Sequence, residues 1–446
     1  MNKISVDFSD IYGRIKPINA VNNGPAGSRV RMTGNFQSYK ELEIPYARLH
    51  DSAFQHGNYG GEFSVDVHRI FPDFSADEND PASYLFAPTD SYLNDVDFVG
   101  TKVYYRLGAT IEHEYKRGTY PPADYEKWAR ICERIIRHYT EGWANGYHLD
   151  IEYWEVWNEF DCINPNGTNP CWQGTDEEFY DFFATVCKHL KSKFPKLKIG
   201  GPAMANTASH RIDRLFDTLK ERGVKLDFFS YHWYGCTTEG FSDYVNNTNA
   251  ALKRNGQEDV ETHLNEWNYV RNWTGNDFTY SLKTLKNYKG ASFVASIMST
   301  AQREKLDMLM YYDARPCFWN GLFDAYGELF KPYYTFLAAR DIVKLGGAAK
   351  CDFAPEIHGI ASTDGENSAL LFTYYNDDEN SEDKTVRIEV KGKDMGDCVK
   401  AEFYLLNETH DLHLVREEYF TSDKFAIITK MKNYDVYLVK FSKADM

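Results

Sequence analysis

The stretch Ile151 to Glu159, IEYWEVWNE, is a short apolar run that ends in an amide and a carboxylate. Its β-branched and aromatic residues predict a buried strand, with Asn158 and Glu159 at its carboxyl end. Helical patterns separate several further runs, which is typical of parallel strands joined by crossover helices. We therefore predict an α/β fold, a (β/α)8 TIM barrel, over residues 12–346. The other seven strands are predicted to start near Ile15, Tyr46, Thr101, Leu197, Leu226, Thr262 and Met308.

Four intervening stretches carry apolar residues at helical spacing and have suitable caps. The predicted helices are Asp124 to Tyr139, Asp176 to Phe194, Ser209 to Arg222 and Ala291 to Lys305. The interval from Gln55 to Asp97 shows no clear period and predicts a long irregular loop after the second strand. Such loops lie at the carboxyl ends of barrel strands, where substrates bind.

The pattern changes after Gly346-Gly347, where alternating strands separated by turn residues replace the helical stretches. We predict an accessory antiparallel β-sandwich domain over residues 347–446. The short strand Lys3 to Phe8 precedes the barrel, and we assign residues 1–11 to the sandwich. The six predicted sandwich strands start near Glu356, Ser368, Lys384, Lys400, Lys424 and Tyr434.

Composition excludes some classes of protein. The formal net charge is −16, which disfavours binding to nucleic acid or to an anionic membrane, because phosphate would be repelled. No apolar run reaches the roughly 18 residues of a membrane helix. The start, MNKISVDFSD, lacks an apolar signal segment, so a cytoplasmic location is expected unless a signal was removed. The composition leaves a homo-oligomer open.

The eight cysteines are scattered without a CxxC pair, so neither a zinc motif nor a redox motif is expected. Cys162 and Cys171 lie in one loop and could pair in an oxidising compartment, but reduced thiols are the expectation. His113-Glu114 lacks the second histidine of a zinc protease helix. We predict that the protein requires no metal and no cofactor.

A second carboxylate stands in the sequence His263 to Asn268, HLNEWN, at the end of the predicted seventh strand. Strands four and seven lie on opposite sides of a barrel mouth, so Glu159 and Glu266 would face each other. Retaining glycoside hydrolysis needs such a pair, one as acid and one as nucleophile. Taken singly, Glu159 could be a helix N-terminal residue and Glu266 an ion-paired one. Their joint position favours the catalytic interpretation.

The elements Trp157-Asn158-Glu159 and Asn265-Glu266-Trp267 resemble clan A of the glycoside hydrolases. Further pieces resemble glycoside hydrolase family 39, the β-xylosidase and α-iduronidase family, over most of the chain up to about residue 345. These pieces are Arg48-Leu49-His50, Glu155 to Glu159, Gly201-Pro202-Ala203, Ser230 to Tyr234, Gly321-Leu322-Phe323 and Lys331-Pro332. The chain departs from the family at Phe160, where a proline is usual, and at Tyr311 to Arg315, where a tryptophan-rich run is usual.

The resemblance implies that Glu159 is the acid/base, that Glu266 is the nucleophile, and that Asn158 contacts the glycone 2-hydroxyl. It also implies that four further residues shape the −1 subsite, namely Arg48, His50, His232 and Tyr234. Arg48 could instead simply pair with a barrel carboxylate, and the two histidines could be core residues. Trp319 could be a platform on which a sugar stacks or ordinary loop packing.

The expected function is therefore that of a retaining glycoside hydrolase of carbohydrate metabolism, exo-acting and β-xylosidase-like, on plant-type oligosaccharides or polysaccharides. One alternative is an endo-acting or differently specific glycosidase of the same clan, of α-L-arabinosidase, β-glucosidase or β-galactosidase type. Another is a non-catalytic sugar-binding barrel, although such a barrel has no reason to keep both glutamates.

Overall fold

The computed structural model describes residues 2–50, 64–112, 115–316, 321–392 and 398–444. Within these residues a closed barrel of eight parallel strands is followed along the chain by a large, mostly antiparallel sheet. Both parts of the predicted fold class are confirmed. No described helix combines the length and the apolar character needed to cross a membrane.

The barrel strands appear in the predicted order, and each pairs in parallel with its neighbours. Because the eighth strand pairs with the first, the sheet closes and the strands' carboxyl ends form one mouth. The strands are Ala20–Asn22, Tyr46–Leu49, Lys102–Leu107, Tyr153–Val156, Lys198–Met204, Phe228–Gly235, Glu261–Tyr269 and Met308–Tyr311.

The four predicted helices are present, with ends within about three residues of the predicted ones. Asp124 caps the first of them by accepting a hydrogen bond from Lys127 N–H, and Thr175 forms a capping box with Glu178 on the next. The α-helices are Phe36–Glu41, Val67–Ile70, Ala87–Phe98, Tyr125–Glu141, Asp176–Lys193, Ser209–Glu221, Thr238–Arg254, Gly275–Thr284, Tyr288–Arg303 and Lys331–Leu345. Single 3-10 turns lie at Pro81–Ser83 and Trp143–Asn145, and a short hairpin joins Gly27–Ser28 to Thr33–Gly34.

The prediction of an irregular loop over Gln55 to Asp97 was wrong at its end, where a helix forms, and residues 51–63 lie outside the described part. The helix Ala87–Phe98 fills the end of this interval and precedes the third barrel strand. Pro88 stands in its first turn, and Tyr92, Leu93 and Val96 are buried along one face. The sequence does carry apolar residues at helical spacing here, but only over a short segment that follows a long polar stretch.

The accessory sheet has nine strands, and its order is not the chain order. The N-terminal strand Asn2–Arg14 runs antiparallel to Gly347–Phe353 on one side and parallel to Lys384–Lys391 on the other. The sheet folds over on itself, since the rings of Phe8 and Phe441 lie 5.5 Å apart although three strands separate the strands that carry them. In sheet order the strands are Asp411–Phe420, Val399–Leu406, Val436–Lys443, Ser368–Tyr374, Ile357–Thr363, Gly347–Phe353, Asn2–Arg14, Lys384–Lys391 and Lys424–Met431.

Two of these strands, Gly347–Phe353 and Asp411–Phe420, were not predicted. The second is an edge strand whose charged sequence DLHLVREEYF has no buried residue, so no alternation of apolar and polar side chains marks it. The main apolar core surrounds the barrel and continues into the sheet through Ile360, Leu371 and Leu438. The sheet therefore packs against the barrel through a shared core.

Candidate active site

Glu159 lies just beyond the fourth barrel strand, on a sharply turned piece of chain. Trp157 and Glu159 both adopt left-handed backbone conformations, with φ of +75° and +49°. Such conformations are uncommon for residues with side chains and concentrate at functional sites. The Glu159 N–H donates to the carbonyl of Ala203 at 2.9 Å, which ties the turn to the end of the fifth strand. The Glu159 carboxyl is thereby held at the mouth with 8% of the residue exposed.

Glu266 lies on the seventh strand, across the mouth from Glu159. The pairing with the sixth strand shifts register between Leu264 and Glu266, as a β-bulge does. Asn265 and Glu266 would otherwise point to opposite faces of the strand, and the bulge lets both side chains reach the barrel interior. One carboxylate oxygen of Glu159 and one of Glu266 lie within 4.8 Å of each other. A ring nitrogen of His232 lies within the same distance of both oxygens.

Arg48, fully buried at the end of the second strand, joins both sides of the site. Its Nε donates to Glu155 Oε2 at 2.6 Å, and its two terminal nitrogens donate to Glu266 Oε1 and Asn158 Oδ1, each at 2.7 Å. Burial disfavours the guanidinium charge, but Glu155 and Glu266 raise the pKa of Arg48 above its usual value. Arg48 therefore both pairs with a barrel carboxylate and supplies a fixed positive charge to Glu266.

The sixth strand presents Tyr234 and His232 to the two glutamates. The Tyr234 hydroxyl donates to Glu266 Oε2 at 2.9 Å, and burial together with the Glu266 charge raises the pKa of Tyr234 well above its usual value. Tyr234 is therefore a neutral donor. His232 Nδ1 lies 2.7 Å from Glu159 Oε1. Burial lowers the pKa of His232 to about 4, so the ring is neutral near pH 7 and its Nδ1–H can donate to ionised Glu159.

Two of the remaining predicted residues lie at the site, and the others fall outside the described part of the chain. His50 is buried near the Glu266 carboxylate, with its Nε2 3.6 Å from Oε1, and Asn158 is fully buried beside Arg48. Asn158 Nδ2 is buried and has no hydrogen-bond partner among the residues described, so it is a donor without an internal acceptor. Trp319 and the pair His113-Glu114 lie outside the described residues.

Sequence reasoning did not assign a role of its own to Glu155. This carboxylate is fully buried below Glu159, where Oε1 accepts hydrogen bonds from Ser230 Oγ at 2.6 Å and Asn265 Nδ2 at 2.5 Å. Arg48 binds its other oxygen. The available signal was the strand period, because Glu155 lies two residues after the inward-facing Tyr153.

A further missed residue is Trp273, in the segment after the seventh strand. The residue is 54% exposed, and its ring lies 5.0 Å from the ring of Tyr234. An exposed indole beside the mouth is a surface on which a sugar ring can stack. The sequence signal was weak, since one tryptophan in a polar loop has no periodic neighbour.

Two groups of possible metal ligands occur among the described residues. One consists of Glu159, His232 and Glu266, and the other of Glu159, Cys162 and Cys171. In the first group Arg48 and Tyr234 already supply positive charge and a donor to Glu266. The two cysteines of the second group are not joined by a disulfide in this structure, and whether they pair in an oxidising compartment stays a prediction.

A (β/α)8 barrel with one glutamate just beyond strand four and a facing glutamate on strand seven has the architecture of a clan A glycoside hydrolase. Residues 79–315 match the model of the glycosyl hydrolases family 39, and the chain belongs to this family. A β-xylosidase from Caldicellulosiruptor saccharolyticus is 30% identical over 182 residues, which cover 38% of this chain and 35% of that protein. A β-xylosidase from Geobacillus stearothermophilus is 30% identical over 122 residues, covering 27% of this chain and 23% of that protein.

Solved structures share the whole architecture at low identity. A glucosidase from Croceicoccus marinus superposes with a TM-score of 0.82 and 19% identity, covering all of both chains. A monomeric β-xylosidase from Caulobacter crescentus CB15 superposes with a TM-score of 0.74 and 15% identity, again over all of both chains. At these identities the likeness establishes the fold alone.

Proposed function

We propose that this protein is a retaining glycoside hydrolase, exo-acting and β-xylosidase-like, with Glu159 and Glu266 as its working carboxylates. The observation that carries the proposal is the approach of the two carboxylates to within 4.8 Å in different surroundings. Inverting enzymes hold their carboxyl groups roughly 6.5–9.5 Å apart to admit a water, whereas retaining pairs lie roughly 5–5.5 Å apart. Oxygens that approach this closely support the shorter, retaining separation.

In the first step Glu266 attacks the anomeric carbon while Glu159 protonates the departing glycosidic oxygen. Arg48 and Tyr234 both donate to Glu266, which supports its assignment as the ionised nucleophile. The glycosyl ester that forms removes the negative charge of Glu266. Glu159, now a carboxylate, then takes a proton from water, whose oxygen attacks the anomeric carbon and releases Glu266.

His232 fits both halves of this cycle as a neutral partner of Glu159. Its Nδ1–H stabilises the ionised form of Glu159 that the second step needs, and its neutral ring adds no charge that would oppose protonation in the first. Protein groups supply every charge in these steps. We therefore expect turnover to survive dialysis against a chelator; loss that a single metal restores would contradict the scheme.

The substrate class is proposed from the polar groups around the glutamates and from the relatives. Asn158 Nδ2 is a buried donor suited to a glycone 2-hydroxyl, and Trp273 offers an exposed stacking face. The relatives from Caldicellulosiruptor saccharolyticus and Geobacillus stearothermophilus are β-xylosidases, which favours a β-xyloside. We propose a carbohydrate as the ligand, and the net charge of −16 supports the absence of nucleic-acid binding.

A panel of aryl β-xylosides, α-L-arabinosides, β-glucosides and β-galactosides tests the specificity. We expect the highest kcat/KM for the β-xyloside and single sugar units released from a long oligosaccharide. A higher value for another glycoside would reassign the specificity within the clan, and internal cleavage products would indicate endo action. No turnover of any member, with binding of sugar retained, would favour the non-catalytic barrel.

The two glutamates are distinguished by azide products of their alanine variants. Glu159→Ala should still be glycosylated by aryl substrates with good leaving groups, and azide in the vacated space should release a glycosyl azide of retained configuration. Glu266→Ala cannot form the intermediate, so direct attack by azide should give the opposite configuration. NMR of the products checks both.

Reversed configurations would reverse the two roles. The mechanism itself would fail if neither substitution lowered turnover by at least on the order of 10²-fold, the low end for general acid–base catalysis. The paired carboxamide variants Glu159→Gln and Glu266→Gln keep the side-chain volume and control for loss of packing.

A further inference from the structure

Two thiols lie directly behind the carboxyl of Glu159. The Cys171 Sγ is 4.0 Å from Glu159 Oε2, and one ligand atom each of Glu159, Cys162 and Cys171 lie within 4.8 Å of one another. Cys171 is buried, while Cys162 is partly exposed, so the cluster has one ligand that solvent reaches.

The backbone holds these three side chains in place. The Cys162 N–H donates to the carbonyl of Glu159 at 3.0 Å. The Cys171 N–H donates to Asn169 Oδ1 at 2.8 Å, and the Cys171 carbonyl accepts from the indole N–H of Trp157 at 3.1 Å. The cluster is thus built on the same tight turn that positions Glu159.

We propose that Glu159, Cys162 and Cys171 form a binding site for a thiophilic divalent cation of the zinc class. Two sulfurs and one oxygen are ligands that zinc accepts, and the hard cations magnesium and calcium would instead require oxygen. With bonds of about 2.3 Å to sulfur and about 2.0–2.2 Å to oxygen, tetrahedral zinc places neighbouring ligands about 3.5–3.8 Å apart. The 4.0 Å separation of Cys171 and Glu159 comes close to this without rearrangement of the turn.

Coordination would change the charge of the cluster. Thiols that bind a divalent cation lose their protons to it, so zinc binding should release protons into the solution. Three protein ligands leave a fourth position for water.

A cation bound at this site would affect catalysis, a consequence that rests on the proposed function. A cation bound to a carboxylate oxygen of Glu159 removes the group that protonates the leaving oxygen. Turnover should then fall as the cation binds, so this site is inhibitory, which agrees with an enzyme that requires no metal. Binding itself is measurable without turnover.

The test titrates the full-length reduced protein with cadmium chloride and follows the ultraviolet charge-transfer absorption of cadmium thiolate, and titrates zinc chloride by calorimetry. We expect one equivalent to bind with the thiolate band and aryl-glycoside turnover to fall in step. Cys162→Ser, at a partly exposed position, should weaken zinc binding at least about tenfold, since even indirect partners of metal ligands contribute 10- to 100-fold. Cys351→Ser, at a partly buried thiol in the accessory sheet, is the matched control and should bind as the original protein does.

Several results would overturn the site. These are unchanged zinc affinity in Cys162→Ser, equal loss in Cys351→Ser, binding without a thiolate band, or no binding at all. Binding without the band would assign the ion to Glu159, His232 and Glu266 instead. Glu159→Gln should weaken zinc binding as well, and full affinity in that variant would remove Glu159 from the site. Failure of the proposed hydrolase function is separately visible as absent turnover before any metal is added.

Discussion

At the scale of single residues, the protonation state of His232 affects both glutamates of the site. Its Nδ1 lies 2.7 Å from Glu159 Oε1 and 3.5 Å from Glu266 Oε2. Burial lowers the pKa of His232 to about 4, and the nearby Arg48 charge acts in the same direction, whereas Glu266 opposes it. A neutral imidazole lets Glu159 cycle between acid and base without a fixed positive charge beside it.

We predict that His232 makes the barrel less stable in acid. The pKa of His232 falls from 6.5 when unfolded to about 4 when folded, so the unfolded state binds the proton first. The stability contribution is complete above pH 6.5 and is lost as the pH falls toward 4, by roughly 3 kcal/mol. His232→Asn should lack this loss. Denaturant unfolding followed by tryptophan fluorescence between pH 4 and 8 measures it, because all nine tryptophans fall before Gly346 in the sequence.

His210→Asn is the control for this prediction, since His210 is exposed at the start of a helix. It should unfold with the same dependence on pH as the original protein. Identical slopes for the original protein and His232→Asn would mean that the buried imidazole is not the group that titrates.

At the scale of the strands, the barrel interior is built in three levels. The floor is aromatic and aliphatic, the middle is a hydrogen-bonded polar level, and the top carries the glutamates. The period of two along each strand produces this order, as Phe228, Ser230 and His232 show on the sixth strand. The floor contains Ala20, Tyr104, Tyr153, Phe228, Met308 and Met310. The polar level therefore isolates the charged site from the apolar core and fixes its geometry.

Glu155 is the carboxylate of that middle level, and we predict that it acts through Arg48 as a positioning residue. In Glu155→Gln the guanidinium of Arg48 would be balanced by Glu266 alone, and an amide N–H would face Arg48 or the donors Ser230 and Asn265. We expect kcat to fall on the order of 10²-fold, the effect of small displacements in an active site, with KM less affected. The acidic limb of kcat/KM should move to lower pH, because Glu266 would be held ionised more strongly.

Glu152→Gln provides the comparison, since Glu152 directly precedes the same strand at the far end of the barrel. It should leave the pH profile unchanged. If Glu155→Gln merely lowered the amount of folded protein, activity per folded molecule and the acidic limb would both stay as they were, and the positioning role would be excluded.

At the scale of the whole molecule, the accessory domain contacts the strand that carries Glu266. Asp377, in the loop between the sheet strands Ser368–Tyr374 and Lys384–Lys391, accepts a hydrogen bond from Tyr269 at 2.7 Å and pairs with Arg271 at 2.8 Å and Lys289 at 2.9 Å. Tyr269 stands three residues after Glu266 on the seventh strand. A hydrogen bond and two ion pairs therefore join the accessory domain to the barrel near the strand end that carries Glu266.

Asp377→Ala should destabilise the protein, because the ammonium of Lys289 is buried and would lose its main carboxylate partner. Breaking a buried ion pair costs about 3–5 kcal/mol, and the remaining contact of Lys289 with Glu379 at 3.8 Å argues for the lower end. Below its unfolding temperature the variant should also show reduced kcat. Denaturant midpoints and kinetics measure the two effects.

Asp383→Ala, at an exposed aspartate of the same loop, controls for loss of a negative charge. Equal midpoints for the two variants would show that the sheet and the barrel do not depend on the Asp377 cluster for their association.

The sequence by itself determined the barrel, most of the accessory sheet and the two facing glutamates. Buried strands and amphipathic helices leave periods of two and about 3.6 in the order of apolar residues. A carboxylate at a strand end, as in Trp157-Asn158-Glu159, is visible in the same local pattern. The chain order of eight strands then indicates that strands four and seven lie across the mouth from each other.

Only the tertiary structure decided which side chains meet across that mouth. The bulge that turns both Asn265 and Glu266 inward, the bond from Arg48 to Glu155 and the thiol of Cys171 behind Glu159 depend on closure of the barrel and on loop geometry. The edge strand Asp411–Phe420 likewise forms because a neighbouring strand offers hydrogen bonds, since none of its own residues is fully buried. The spacing of apolar residues reports which face of a single strand or helix is buried. The contacts named here join residues that are distant in the chain or positioned by a loop. The spacing of residues in the sequence therefore cannot predict them.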